Sequence, residues 1–395
     1  MTGRPEAYDV AVVGLGAMGA AAIYQLARRG VNAIGIDRHS PPHDRGSTHG
    51  ETRITRQAVG EGEAYVPLVL RAHEIWRELE AETGETLLTQ CGCLIVGSGT
   101  GATGTRRAAF FATTQRAAER YGIAHEMLSS SEIRHRFPQF TPQDYEMGYF
   151  EPGGGYVDPE RCVAAQLRRA VELGAVLSTG RNVLAMDDEG AGVRIRTDRG
   201  DILAGQVVVA AGSWAPSLLG AQFHEVLSPS RQVMHWFPVD EDRQEDWQNG
   251  PVFIWTHGPL PSDMFYGFPA LQGHRSVKTA GEQYDDTTHP DRVERGIGED
   301  ESRLMREAHV AGRLLGLAPR AEKSVTCLYT VTPDSHFLID RHPRNERILV
   351  VSPCSGHGFK HSAGIGEAVA EIATTGRSAC DLTPFGFARF ASSAA

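Results

Sequence analysis

Three glycines and one acid near the N-terminus could do the clearest chemistry in this chain. Gly14, Gly16 and Gly19 follow the apolar run Val10 to Val13 in the spacing G-x-G-x-x-G, and Asp37 closes a second apolar run, Ala33 to Ile36. Gly14 permits a tight turn out of a strand, Gly16 lets a pyrophosphate reach the backbone, and Gly19 lets a helix pack closely on that strand. The helix would aim free N–H groups and a partial positive charge at phosphate. Asp37 stands where a carboxylate can take the ribose hydroxyls of an adenosine, and an acid there disfavours the 2′-phosphate of NADP. Glycines also gather in turns and helix C-caps, so the spacing alone is weak. Strand, helix, second strand and terminal acid together point to a dinucleotide site, without choosing between FAD and NAD.

Other reactive types are less telling alone. Arg53 and Arg56 lie three apart in the polar segment Gly46 to Arg56; if it is helical they fall near one face, where guanidinium groups could capture a carboxylate or phosphate. A solvated helix would carry the same charges. The six cysteines, Cys91, Cys93, Cys162, Cys327, Cys354 and Cys380, are scattered, with no C-x-x-C. Cys91 and Cys93 would face one side of a strand as packed thiols. The pairs His39/His43 and His357/His361 are four apart, but the first brackets two prolines and the second lies in a glycine-containing loop. Neither suits a helix-face metal site, and no metal is expected.

The elements that must position these residues alternate in character. A helix is expected over about Ala17 to Arg29, stopped by Gly30, and an amphipathic helix over Tyr65 to Thr83 with Leu68, Ala72, Ile75, Trp76 and Leu79 inward. From Leu87 short β-type runs alternate with a helix near Thr105 to Tyr121 and a capped one after Ser129. Asp158–Pro159 opens a helix ending near Glu172. A hairpin through Arg199–Gly200 leads into a strand that ends on Ala210, Ala211 and Gly212, small enough for close approach of a cofactor. Strands follow between Leu227 and Thr279, then a helix from Glu301 to Leu317, two strands around Pro333, a strand Ile348 to Ser352, and a helix from Ala363 to Thr375.

With 395 residues, two domains are expected. They are interleaved: 1–86, 150–226 and 320–395 bind the nucleotide, while 87–149 and 227–319 form a substrate domain. The fold class is α/β, a Rossmann-type FAD-binding domain interleaved with an α+β domain on a largely antiparallel sheet. A plain dehydrogenase usually keeps its nucleotide domain contiguous, so the interleaving favours FAD over NAD. A net charge of −10 argues against nucleic acid as partner, and no apolar run approaches ~18 residues, so no membrane span is expected. MTGRPEAYD lacks a signal peptide's apolar segment, and a cytoplasmic protein is expected.

The segments GSTHGETRITRQAVGEGEAYVPL, MFYGFPA, CLYTVTPDSHFLID, CSGHGFK and DLTPF carry a stronger signal. With them the chain resembles, nearly end to end, the monomeric sarcosine oxidase and N-methyltryptophan oxidase family of D-amino-acid-oxidase-like flavoproteins. The resemblance implies a monomer with FAD held covalently through Cys327, the first residue of C-x-Y-T-x-T-P-D. It puts Arg56 and Lys360 on the substrate carboxylate, Tyr266 and Tyr329 near the substrate, and His49 and Arg53 close to the flavin ring. Lys278 matches the lysine on the oxygen-reacting side, where positive charge favours superoxide. The cofactor contacts extend to Ala17, Met18 and Arg38, then to Ser47 and Thr48. They continue through Ala211, Gly212 and Trp214 to the loop Gly356, His357, Gly358 and Lys360.

The implied activity is oxidation of a secondary amino acid, N-methyl or cyclic, to an imine, with O₂ reduced to hydrogen peroxide. A primary-amine or Amadori-type oxidase, an NAD-dependent dehydrogenase and a non-catalytic nucleotide-binding protein are the alternatives. One position departs from the family: a histidine is expected four residues after Lys278, and Glu282 stands there, followed by Gln283. An acid facing the pocket would suit a substrate with an extra cation or hydroxyl.

Overall fold

The structure is a computed structural model describing residues 6–98 and 106–393. Met1 to Pro5 and Thr105, the expected start of a helix, lie outside the described residues; that helix is described over Arg106–Tyr121.

The apolar runs build an eight-stranded sheet with a parallel centre. Val176–Thr179, Ala33–Asp37, Glu6–Val13, Ile202–Val209 and Asn345–Ser352 lie side by side in that order, and Leu338–His342 runs antiparallel beyond them. Val10 to Val13 are buried, as a strand covered on both faces requires. Val13 is in register with Ile36 and with Val209, and Val209 with Val350. The carboxyl ends of these strands therefore share one edge, and the loops leaving them converge. The helices Ala17–Arg28, Val66–Thr83, Pro159–Glu172 and Ser362–Thr375 contribute to one core cluster against this sheet. Leu68, Ala72, Ile75, Trp76 and Leu79 are fully buried there, as their spacing predicts. Asp158 caps its helix by accepting from Arg161 N at 2.9 Å, with Pro159 at the first position.

The second sheet is antiparallel apart from one pair. Its order is Lys323–Val331, Ser228–Pro238, Ser276–Gly281, Met264–Gly267, Val252–Thr256, Cys93–Ser98, Glu146–Glu151, Glu126–Ser129, and only Val252–Thr256 beside Cys93–Ser98 is parallel. Alternation divides its faces. Phe237, Val277, Phe253, Trp255, Phe265 and Leu94 form one apolar core. Met234, Trp236, Ala280 and Cys327 belong to the other face, packed with Tyr266. Lys278 and Tyr329 share that face, two positions from Ala280 and Cys327.

Several expectations are corrected. Lys323–Val331, assigned with 320–395 to the nucleotide part, pairs along its length with Ser228–Pro238 and joins the second sheet. Glu146–Glu151 crosses the boundary drawn at 150. The segment Gly46 to Arg56 is not helical: Gly50 and Glu51 both have positive φ, 98° and 73°, and Arg53–Thr55 is a short strand on Gly155–Val157. The helix expected over Glu301 to Leu317 is Glu299–Met305 followed by one wide turn, closed by Ala311 N donating to Arg306 O, and ends before Gly312 at φ 77°. Val176–Thr179 and Val183–Asp188 are strands the sequence reading did not separate from their surroundings.

Candidate active site

The converging loops enclose a cavity of about 540 Å³. Gly14 lies at φ 89°, and a Cβ there would fall 2.6 Å from Ala210 O. A Cβ on Gly19 would fall 1.7 Å from Gly14 O, so helix and turn touch only because residue 19 is glycine. Gly16 differs: a Cβ there would meet only Thr48 Oγ1, at 3.5 Å, and would otherwise point into open space. Gly16 is the N-cap of Ala17–Arg28 and supplies no side-chain cap, leaving the helix start facing the cavity. Asp37 is 7 % exposed; its Oδ2 accepts from Leu15 N and its Oδ1 from His39 N, each at 2.8 Å. Each oxygen keeps a further lone pair for a hydroxyl.

Of the expected cofactor contacts, the cavity brings together Gly14, Gly16, Ala17, Met18, Asp37 and Arg38. Ser47, Thr48 and Arg53 also line it, with Ala211, Gly212, Trp214, Gly356, Gly358 and Tyr329. Gly19, His49, Cys327, His357 and Lys360 stand behind this lining rather than in it. Cys327 is 2 % exposed, with Sγ 3.7 Å from Arg53 Nη2 and 3.6 Å from Ser47 O, so the thiol adjoins two lining residues. His49 is buried and its Nε2 has no partner among the described residues. Burial and the nearby Arg53 pull its pKa to about 3, which keeps the ring neutral.

These features fit a bound FAD: a glycine cradle, a helix start facing the cavity with only the Thr48 hydroxyl on Ala17 N at 3.4 Å, a ribose-type acid, an orphaned imidazole and a thiol just behind the wall. Gly14, Gly16, Ala17 and Met18 would hold its pyrophosphate, Asp37 and Arg38 its adenosine, and Ser47, Thr48 and Arg53 the region toward Cys327.

A buried polar cluster adjoins the Gly356–Lys360 loop. Arg56 is 2 % exposed; its guanidinium donates to Ala58 O and, at 2.7 Å, to Glu61 Oε2, and stacks 4.9 Å over the Phe110 ring. Lys360 Nζ reaches Glu61 Oε1 at 3.4 Å and His357 O at 2.9 Å. Residues about three hundred positions apart thus meet on one carboxylate. Burial pulls Lys360 down to about 8, against the pull of Glu61. Burial pushes the Glu61 carboxyl up, but Arg56 and Lys360 outweigh it and hold it well below the ordinary range. Arg53, expected beside Arg56, points elsewhere, to Ser47 O at 2.7 Å: on extended backbone, residues three apart face opposite sides.

Tyr266 lies within hydrogen-bonding reach of Tyr329, and burial raises it to about 12. Lys278 is 4 % exposed and donates to Gly50 O and Thr52 O, both at 2.7 Å, with its Nζ 4.0 Å over the Phe268 ring. It braces the loop carrying His49 and Arg53, and burial with Arg53 nearby drives its pKa well below the usual lysine value.

Sequence reasoning missed Glu61 and Asp291. Asp291 Oδ1 accepts from Arg38 Nη1 and from Trp214 Nε1, each at 2.8 Å, while Arg38 lies 5.5 Å over the Trp214 ring. Its signal is poor, an acid in a loop far from both partners. Among the described residues no cluster of histidine, cysteine or acid suits a metal, and no helix is long and apolar enough to cross a membrane.

Residues 9–372 match the model of the FAD dependent oxidoreductase family. The chain is 37 % identical over 397 residues to a monomeric sarcosine oxidase of Streptomyces avermitilis, covering 98 % of this chain and 99 % of that one. It is 36 % identical over 387 residues to a monomeric sarcosine oxidase of a Bacillus species, with 97 % and 96 % covered. It is also 36 % identical over 385 residues to an N-methyl-L-tryptophan oxidase of Yersinia pestis, with 97 % and 99 % covered. In fold it is similar to NikD, an amino acid oxidase of nikkomycin biosynthesis, at TM-score 0.81 and 24 % identity, with 96 % and 97 % covered. The fold of an L-proline dehydrogenase from P. horikoshii gives the same score at 21 % identity, with 99 % of each chain covered. Cradle, cation cluster and likeness agree: the chain belongs to the FAD dependent oxidoreductase family, and is an FAD-dependent amino acid oxidase.

Proposed function

We propose that this oxidase acts on secondary amino acids, N-methyl or cyclic, and holds its FAD covalently through Cys327. The observation that carries the substrate reading is the meeting of Arg56 and Lys360 on a single carboxylate beside the cofactor cavity. Two buried cations around one carboxylate form a site for the carboxylate of an amino acid, with Glu61 occupying or sharing it. The names of the most similar relatives, sarcosine and N-methyl-L-tryptophan oxidases, support a secondary amine.

The chemistry that FAD supplies when bound is removal of two electrons from a C–N bond, giving an imine that water hydrolyses, and return of those electrons to O₂ as hydrogen peroxide. The chain's residues do the rest. Arg56 and Lys360 anchor the carboxylate, which fixes the α-carbon and nitrogen relative to the cavity. Neutral phenols at Tyr266 and Tyr329 bound the substrate space. His49 is neutral, so its Nε2 can accept or donate without adding charge. Lys278 braces the Gly50–Thr52 backbone and brings a donor near the site where O₂ would react.

The test is anaerobic mixing of the purified yellow protein with N-methyl and cyclic amino acids. Bleaching by these, and not by the matching amines that lack a carboxylate, is the expected result. Lys278→Met should slow the return of colour in O₂ more than its loss. Bleaching by plain amines as readily as by amino acids would overturn the reading.

A further inference from the structure

Of the 39 lysines and arginines in this chain, only Lys278, Lys323 and Lys360 are lysines. An ammonium is a compact charge whose proton can be lost on burial, whereas a guanidinium stays charged. Two of the three lysines meet on one residue. Trp236 is directly opposite Lys278 on one neighbouring strand and directly opposite Lys323 on the other. The Nζ of Lys278 lies 5.8 Å, and that of Lys323 4.4 Å, from the centre of the Trp236 ring, within reach of a cation–π attraction. Lys278 is buried and the Lys323 side chain is half exposed, so this cross-strand row runs from the interior to solvent.

Two ammonium groups on one indole disfavour each other unless an anion joins them. Glu51 is that anion. Its Oε2 accepts from Trp236 Nε1 at 2.8 Å, and its Oε1 pairs with Lys323 Nζ at 2.6 Å. Burial pushes the Glu51 carboxyl up, but these two donors and the charges of Lys323 and Lys278 outweigh it, so it stays ionised. Its backbone is fixed as well. Glu51 has φ 73°, a left-handed conformation that a side chain with a Cβ adopts at a cost, and the N–H groups of Gly50 and Glu51 both donate to Glu160. In this turn the carbonyls on either side of Glu51, those of Gly50 and Thr52, each accept from Lys278 Nζ at 2.7 Å. Burial works against the Lys278 ammonium, and Arg53 does too; Glu51, Glu160 and an ionised Cys327 favour it, Glu51 most. One residue thus supplies both the turn that grips the buried ammonium and the strongest charge in its favour.

We propose that Glu51 is a positioning residue for Lys278: held by Trp236 and Lys323, it keeps a positive charge at the buried end of this row. What that charge is used for, the return of electrons to O₂, rests on the preceding reading.

So few lysines make the charge of Lys278 directly observable. With isotope-labelled lysine, magnetic resonance of the holoenzyme gives one side-chain signal each for Lys278, Lys323 and Lys360, assigned by replacing each with Met, and the signals follow protonation with pH. The Lys278 midpoint should fall by about one pH unit in Glu51→Gln, the effect of losing a neighbouring charge in a sheltered site. Glu51→Asp, which keeps the charge, should bring it most of the way back. Trp236→Phe, which keeps a ring but offers Glu51 no N–H, should lower it by less. In parallel the flavin is photoreduced without substrate and mixed with O₂. The wild-type reoxidation rate should fall as pH rises through the Lys278 midpoint, because the ammonium is present below it and lost above it. Glu51→Gln should move that fall to lower pH by the same interval, making it up to about tenfold slower than wild type between the two midpoints. Lys278→Met should show no step. A residue that merely shaped the fold would lower flavin content or melting temperature and leave the midpoint in place. An unchanged Lys278 midpoint in Glu51→Gln therefore overturns the proposal; should that variant not fold, an unchanged midpoint in Trp236→Phe does. A midpoint that moves while reoxidation stays the same leaves Glu51 in this role and overturns the oxygen reading of Lys278 instead.

Discussion

Lys360 is the residue on which the pH behaviour of the Arg56–Glu61–Lys360 cluster turns. Burial sets its pKa at about 8 even with Glu61 beside it, so the ammonium is present below that value and lost above it. Arg56, raised further by Glu61 against the effect of burial, stays charged throughout. Affinity for a simple carboxylate should therefore fall as pH rises through about 8 and level off at the binding Arg56 alone supports, about tenfold weaker. Lys360→Met should show that lower affinity with no step near pH 8. Dissociation constants measured across the pH range check this, and a wild-type profile without a step would sink it. The cations of the clamp were legible through the GETRITR and GHGFK segments, but Glu61 was not. In GEGEAY it reads as one acid of a solvated loop, and nothing local reveals the two cations that the fold brings to it.

The glycine cradle was legible because its demands are local. Strand, turn and helix are contiguous, and Gly19 answers contacts within that unit, with Gly14 and Val12, although Gly14 meets Ala210 and Ala211 and Gly16 meets Thr48 from farther along the chain. The structure separates their duties. A methyl on Gly19 collides with backbone at 1.7 Å, whereas a methyl on Gly16 meets one hydroxyl at 3.5 Å and otherwise fills the cavity. Gly19→Ala should therefore fail to fold or melt far below the wild type. Gly16→Ala should fold with unchanged far-ultraviolet dichroism but carry little flavin, measured as the ratio of yellow absorbance to protein. Loss of fold in Gly16→Ala, or full flavin content in it, would contradict this division. The segment Gly46 to Arg56 was less legible, since its charged and small residues fit a helix pattern. Two successive left-handed residues, Gly50 and Glu51, break that pattern, and only glycine signals such a conformation in sequence. The strand that follows sends Arg53 to Ser47 at the cavity and Arg56 to Glu61.

At the scale of the molecule, interleaving could be read from the alternation of helical and β-type stretches, but sheet membership could not. The alternation in SVTCLYTV says which residues share a face and nothing about which strand lies alongside; pairing with Ser228–Pro238 is a long-range choice. That choice places Cys327 on the face turned to the cavity, next to Arg53 and Ser47. The loop after Glu282 then crosses to the other side: Asp291 takes hydrogen bonds from both Arg38 and Trp214, and Arg295 donates to the carbonyls of Asp44 and Arg45. His289 and Asp291 line the cavity, so this segment covers it beside Arg38 and Trp214. Asp291 is half exposed, and its pair with Arg38 should contribute only about 0.2–1 kcal/mol to stability. Its effect on the cofactor is best measured in a protein that lacks the proposed tether at Cys327. Acid precipitation of the wild type should leave yellow colour in the pellet, and Cys327→Ser should release it to the supernatant. Within that untethered background, Asp291→Ala should speed flavin dissociation from the native protein by about fivefold, the worth of ~1 kcal/mol, while barely moving the melting temperature. The measurement is the growth of free-flavin fluorescence after dilution of the two proteins. Equal rates would mean that the segment covers the cavity without holding what lies inside it, and colour released equally from wild type and Cys327→Ser would mean that this thiol makes no bond to the flavin.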